Sequence, residues 1–235
     1  MGVASAWVRA PKTPKGAELT PAETGTLVDA RADMADIVAT SVDLARRGYL
    51  VIKEAKKGEF TLEKIRGFVA DSSLLPFEQT LLSGLFAKGN TFTPKQASLV
   101  TTIANVQKQL YERVVEHGFF DKNPKTVRER YTILGVIALM TGNLPLTFVS
   151  FLFGHAMPRK TVLGAQTANI SRSLKNFLTS QKRYLTWQTD KQLLFEKLLP
   201  FAVAFGVEEL WAKRFRDIHL KQPEWYQSPA GSRFS

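Results

Sequence analysis

Between Tyr131 and Met157 the sequence YTILGVIALMTGNLPLTFVSFLFGHAM contains no Asp, Glu, Lys or Arg. This charge-free run limits the folds open to the chain more than any other stretch. One uninterrupted helix of about 20 apolar residues crosses a bilayer core, so the run is long enough to span. Its middle, Thr141-Gly142-Asn143-Leu144-Pro145, is a turn signal and argues against a straight rod. Each half, at roughly ten apolar residues, is too short to cross alone. Three arrangements remain open: one kinked transmembrane helix, a helical hairpin dipping into one leaflet, or two short helices buried in a soluble core. Lys122, Lys125, Arg128 and Arg130 lead into the run, and Arg159 and Lys160 leave it. The positive-inside bias holds both flanks on the cytoplasmic face, which favours a hairpin over a single crossing.

The flanks belong to a chain that is basic throughout, with 32 Lys and Arg against 21 Asp and Glu and a formal charge of +11. Such a balance favours an anionic partner, either nucleic acid or an anionic membrane surface. With 235 residues, 44% of them hydrophobic and 16 of them Phe, there is material for a sizeable core, so disorder is not the default. Cysteine is absent, which rules out disulfides and thiolate metal sites and fits a reducing, cytoplasmic side. Residues 1–18 lack the apolar centre of a signal peptide. Membrane insertion is therefore expected to use residues 131–157, or the chain is a fragment whose leader and anchor lie upstream.

The remainder reads as mainly helical. Residues 1–19, with spaced prolines and lysines, suit an extended basic arm. Thr20-Pro21-Ala22-Glu23 is a capping box with proline at the first helical position. Asp33 can cap a second helix, Met34 to Arg47, which stops at Gly48. Tyr49 to Ile52 is β-prone, residues 56–58 can turn, and residues 59–62 can pair back as a hairpin. Two helices and a hairpin over residues 20–70 outline a winged-helix-like unit. Residues 74–122 repeat the grammar, with a helix from Pro76, a second capping box at Thr93, and a long helix to Glu116. That helix closes in His117-Gly118-Phe119-Phe120, as the earlier one closes in Arg47-Gly48-Tyr49-Leu50. A C-terminal helical unit covers residues 160–226: a basic helix from Thr161, a segment Leu193 to Phe205 broken at Pro200, and a helix from Gly206. Phe195, Pro200, Phe205, Gly206, Trp211 and Phe215 form its packing signature. Residues 227–235 read as a tail.

Chemistry is sparse. His117, His155 and His219 are far apart with no paired-ligand spacing, and there is no glycine-rich phosphate loop or nucleophile elbow. No catalytic residue, cofactor or metal is expected, and the chain reads as non-enzymatic. The winged-helix outline raises DNA binding through Met34 to Arg47, with Arg46, Arg47, Lys53, Lys56 and Lys57 on phosphates. The face that this helix is expected to expose, Asp36, Ala39, Thr40 and Asp43, carries two acids where a groove reader needs Arg, Asn or Gln.

Several strings resemble one family. LTPAETGTLVDARADMADIVATSVDLARRGYLVIKE from Leu19, then LLPFEQTLLSGLF, MPRKTVLGAQ, LFEKLLPFAVAFGVEELWAKRFRDI and PEWY are similar to the cytoplasmic part of the YciQ-like predicted membrane proteins, a family of unknown function. The likeness runs from Leu19 to Tyr226 and is most specific from Leu194 to Phe215. It implies that full-length members begin with a signal peptide, an extracytoplasmic β-rich domain and a transmembrane helix. On that reading this chain is the region after that helix, with residues 1–19 as the juxtamembrane linker. The resemblance also implies a longer apolar region, readable as two passes, where this chain has the short 131–157 run with Asn143 and Pro145. It supplies no catalytic residues.

The expectation is a membrane-associated cytoplasmic scaffold or interaction module, held at an anionic membrane surface and serving an unidentified protein partner. The alternative is a soluble winged-helix protein that binds nucleic acid, with residues 131–157 in its core.

Overall fold

A computed structural model describes residues 10–56, 58–69, 71–94, 99–156, 158–180, 191–215 and 222–228. Within them the fold is mainly helical with one small sheet. The helices are α1 (Pro21–Asp29), α2 (Met34–Arg46), α3 (Pro76–Leu85), α4 (Val100–Glu116), α5 (Pro124–Met140), α6 (Leu144–Ala156), α7 (Val162–Thr179), α8 (Lys191–Ala204) and α9 (Glu208–Arg214). The strands are β1 (Leu50–Lys56), β2 (Glu59–Lys64), β3 (Thr91–Phe92) and β4 (Tyr226–Gln227), in sheet order β3-β2-β1-β4. β1 and β2 form an antiparallel hairpin, and β4 pairs with β1 in parallel.

Local chemistry sets the helix ends. Both capping boxes at the start of the chain are formed: Thr20 with Glu23, and Asp33 with Asp36. The glycine endings share one hydrogen-bond pattern. At α2, the amides of Gly48 and Tyr49 donate to the carbonyls of Ala45 and Leu44; at α4, those of Gly118 and Phe119 donate to Val115 and Val114. Gly48 and Gly118 sit at φ 82° and 70°, the left-handed backbone that lets the chain reverse. Residues 10–19 turn back on themselves through a Lys12–Glu18 bridge, burying Ala10 and Leu19. The Thr93 capping box runs into residues 95–98, outside the described set. The break expected at Pro200 is absent: α8 continues through it, because apolar partners hold the helix on both sides.

Three apolar clusters result. The largest joins α2, the sheet, α3, α4 and Trp225, so the elements of residues 20–70 and 74–122 share one core. The second joins α7, α8 and α9 around Trp211, Phe195 and Phe215, whose rings meet edge to face. A third packs Leu27, Val114, Phe119 and Ala168 where α1, α4 and α7 meet. The face of α2 expected to be exposed is buried: Asp36, Ala39, Thr40 and Asp43 are covered, because α8 and α1 pack on α2.

Four acids are buried among the described residues: Asp43, paired with Arg46, and Glu23, Glu78 and Asp36. Glu23 is 1% exposed, accepts from Arg113 at 2.9 Å and lies 3.1 Å from His117 Nε2. Burial pushes its pKa up, but the bonds from His117, Thr20 and Arg113 outweigh burial and hold it below the usual carboxylate range. Glu78 pairs with Arg47 at 2.6 Å, and burial raises its pKa despite that partner. Among the described residues Asp36 has no cation partner. Its Oδ2 accepts from Thr26 and the Asp33 amide, while Oδ1 has no hydrogen-bond partner among them. Burial, reinforced by Asp33 and Asp29, pushes its pKa from 3.8 to about 9.

Two outcomes follow. The folded state takes up a proton at Asp36 that the unfolded chain releases, so its contribution is fullest below about pH 4 and falls as pH rises towards about 9. Chemical denaturation of Asp36→Asn is expected to lose most of a downward stability slope of up to about 1.4 kcal/mol per pH unit between pH 5 and 8. An unchanged slope would count against a buried neutral acid. Arg47→Ala strands the Glu78 carboxyl and is expected to cost roughly 3 kcal/mol in denaturant titration, whereas a purely surface arginine would shift the midpoint little.

Candidate functional site

The charge-free run divides at Thr141–Asn143. Thr141 Oγ1 donates back to Ala138 O at 2.9 Å, Gly142 takes φ 73°, and Asn143 Oδ1 accepts from the Leu146 amide at 3.1 Å to start α6. Pro145, in the first turn of α6, needs no amide partner there. α5 and α6 then pack antiparallel: Tyr131 lies against Gly154, and the Phe151 ring against Gly135. Cβ atoms at Gly135 and Gly154 would stand 3.1 Å from Phe151 and 2.9 Å from Tyr131, closer than normal packing permits.

Small residues occupy the seam between the two helices. Gly135 and Ala138 on α5, and Thr147, Ser150 and Gly154 on α6, are the buried positions among those of the run whose burial is described. Large apolar side chains face outward, among them Ile133, Ile137, Met140, Phe148, Leu152 and Phe153, with Met140 at 83% and Phe148 at 69% exposed. Of the 24 exposed large apolar residues among those described, 13 lie between Ile133 and Phe153, so the pair holds over half of such residues. None of its residues joins the three core clusters. Contiguous apolar surface of this kind marks a contact site, since water is a poor solvent for it. The hydroxyls of Thr132, Thr141 and Thr147 donate to carbonyls of their own helix turns, whereas the Ser150 hydroxyl, buried in the seam, has no partner among the described residues. No helix is long and apolar enough to cross a membrane among the described residues.

Both ends of the pair are fastened to α1. Arg128 donates to the Ala30 carbonyl at 2.8 Å and to the Tyr111 hydroxyl at 3.1 Å. Lys160 donates to the Val28 carbonyl at 3.2 Å and lies over the Phe120 ring. Burial, with Arg172 nearby, lowers the Lys160 pKa. Thr161 then caps α7 and donates to the Gly118 carbonyl at 2.6 Å. Gly164 passes so close to the Phe119 carbonyl that a side chain would overlap it.

The remaining flank residues sort differently. Lys125 sits 3.8 Å from Glu129 on an exposed turn. Arg130 and Arg159 line an open cleft of about 620 Å³ with Asp121, Lys122, Val127, Tyr131 and Leu134. Of the cations assigned to phosphate contact, Arg46 is paired with Asp43 and Arg47 with Glu78, and Lys53 pairs with Glu63. Lys56 is exposed, and Lys57 lies outside the described residues. The packing-signature residues Phe195, Phe205, Trp211 and Phe215 are buried in the second cluster, with Pro200 inside α8 and Gly206 turning the chain at φ 63°. A second concavity of about 520 Å³, between α2, the sheet and α4, is lined by apolar residues with Ser41 and Tyr226, and no charged side chain. No group of acids and histidines able to hold a metal occurs among the described residues. His117 is engaged with Glu23, and His219 lies outside them. The small-residue seam was missed in the sequence; its signal is the three- and four-residue spacing of 135–138 and 147–150–154 within an apolar run.

No curated protein and no solved structure gives a match. The family described as "Predicted membrane protein (DUF2207) C-terminal domain" matches residues 13–149 and 137–215. The two matched segments overlap at 137–149, within α5 and α6, so the likeness is continuous over the body and divides at the apolar pair. With more than half the chain matched, this protein belongs to that predicted membrane protein family, as a C-terminal domain whose role is unknown.

Proposed function

We propose that the chain is a membrane-associated scaffold or interaction module whose α5–α6 pair enters one leaflet of a bilayer while the remaining helices lie at its cytoplasmic surface. The observation that carries this reading is the inside-out packing of the pair. Small residues line its seam, with Phe151 and Tyr131 laid on the glycines, and the other large apolar side chains face away from the protein, the distribution that suits helices whose surroundings are as apolar as their side chains. Length agrees. The ten charge-free residues of α5 extend about 15 Å and the 13 residues of α6 about 20 Å at 1.5 Å per residue. One leaflet contributes roughly half of a hydrocarbon core about 30 Å thick, so the pair is long enough to bury in one leaflet and too short to reach the far side. The cations at both its ends favour the cytoplasmic side and an anionic surface. Membership of a predicted membrane protein family accords with this.

The first two helices with the β1–β2 hairpin are read as a winged-helix-like scaffold, not as a reader of DNA. Three of its candidate phosphate contacts, Arg46, Arg47 and Lys53, are paired with carboxylates of the fold. Its α2 buries the face that would enter a groove.

Flotation with vesicles of phosphatidylcholine and phosphatidylglycerol tests the reading. The full chain is expected to float, and Phe148→Asp with Leu152→Asp to stay in the load fraction with an unchanged helical circular dichroism signal, since both side chains point away from the seam. A wild-type chain that remains monomeric without detergent and never floats would overturn it.

A further inference from the structure

The cations of this protein divide into two sets. One set is consumed by the fold: Arg47 on Glu78, Arg113 on Glu23, Arg128 on the Ala30 carbonyl and Lys160 on the Val28 carbonyl. Lys122, Arg130 and Arg159 belong to the other, with no ion pair among the described residues. These three arrive from different parts of the chain, after α4, on α5 and after α6, yet they line one cleft. Asp121 is the one carboxylate among the described residues that line it, so three positive groups face one negative group there.

We propose that this cleft binds the phosphate of an anionic lipid headgroup, gripped by Arg130 and Arg159 with Lys122 as a third cation. The proposal rests on the reading that α5–α6 enters a leaflet, and it adds a specific site to it. Guanidinium groups offer paired N–H donors that match two phosphate oxygens at once. Val127, Arg130, Tyr131 and Leu134 recur at three and four residues, so one face of α5 passes from the cations to apolar surface. Leu134, half exposed, continues that face towards Ile133 and Ile137. A ligand with its phosphate at the arginines would lay its apolar part along α5, which suits a lipid and offers a free phosphate nothing further. Tyr131 at the same level places an amphipathic ring where polar and apolar surroundings meet. Basic pockets beside membrane helices hold headgroups on this principle.

The test uses the full chain with vesicles of phosphatidylcholine alone or mixed with phosphatidylglycerol, read by flotation and titration. Arg130→Gln with Arg159→Gln is expected to weaken binding to the mixed vesicles about 30-fold and leave binding to neutral vesicles unchanged. Arg130→Lys with Arg159→Lys keeps the charge and removes the two-pronged grip; a loss on the order of 10-fold is expected. Lys108→Gln with Lys213→Gln takes the same charge from exposed sites on α4 and α9, and a change within about twofold is expected. Were the charge-preserving pair to bind like wild type, or the glutamine pair to lose no more than the Lys108 and Lys213 control, the site would be refuted. Inorganic phosphate at matched ionic strength is expected not to release the chain from mixed vesicles; release would reassign the cleft to a free phosphate. Tight binding of duplex DNA that vanishes in the glutamine pair would replace the lipid with nucleic acid. A wild-type chain that ignores both kinds of vesicle refutes the insertion reading itself, whereas equal binding to both refutes the headgroup site alone.

Discussion

The carboxylate of Glu23 fixes the frame on which the rest of the molecule hangs. It completes the cap of α1, and it also receives Arg113 and His117 from the end of α4. A charge this deeply buried is tolerated only because several donors replace its lost water. In return α1 and α4 are locked at one relative position. The far end of α1 then presents two carbonyls, Val28 and Ala30, to Lys160 and Arg128. Those cations bracket the apolar pair, so the orientation of α5 and α6 relative to the body traces back to one buried acid.

Within the pair the usual order of a water-soluble helical hairpin is reversed. A soluble hairpin hides its largest apolar side chains between the helices; here the small residues Gly135, Ala138, Thr147, Ser150 and Gly154 line that space, with Phe151 and Tyr131 laid on the glycines. Close approach of two backbones is gained through dispersion contacts. Two rings enter the seam, Phe151 on Gly135 and Tyr131 on Gly154, while the other large apolar residues of the pair lie outward. The body behaves conventionally, with Phe77, Leu110, Trp211 and Phe195 fully enclosed. One chain thus contains two packing regimes, and the boundary between them falls at the cationic cleft.

Much of this was legible in the sequence wherever a local rule dictates the outcome. Thr20 and Asp33 announce their helices through side chains that bond their own backbone, and Gly48 and Gly118 announce reversals through left-handed backbone. The division of the charge-free run at Gly142-Asn143 follows from the same local chemistry. Features set by distant contacts were not legible. Pro200 reads as a break when only its missing amide is considered, and α8 passes through it because two cores clasp the helix. Asp36 and Asp43 read as exposed acids until α8, more than 140 positions away in the chain, covers them. The roles of Arg128 and Lys160 depend on carbonyls of α1, which no short-range pattern can indicate. Flank cations that look alike in sequence therefore separate into fasteners and a cleft lining only in three dimensions.

Ala30 is the residue at which this arrangement meets the backbone. It adopts φ 62° without being glycine, a conformation an L-residue holds reluctantly, and its carbonyl is the acceptor for Arg128. The anchor of α5 is thereby tied to the left-handed residue that ends α1. The greasy arm and the helix that carries Glu23 therefore share one fixing point, a residue whose backbone has little freedom to relax.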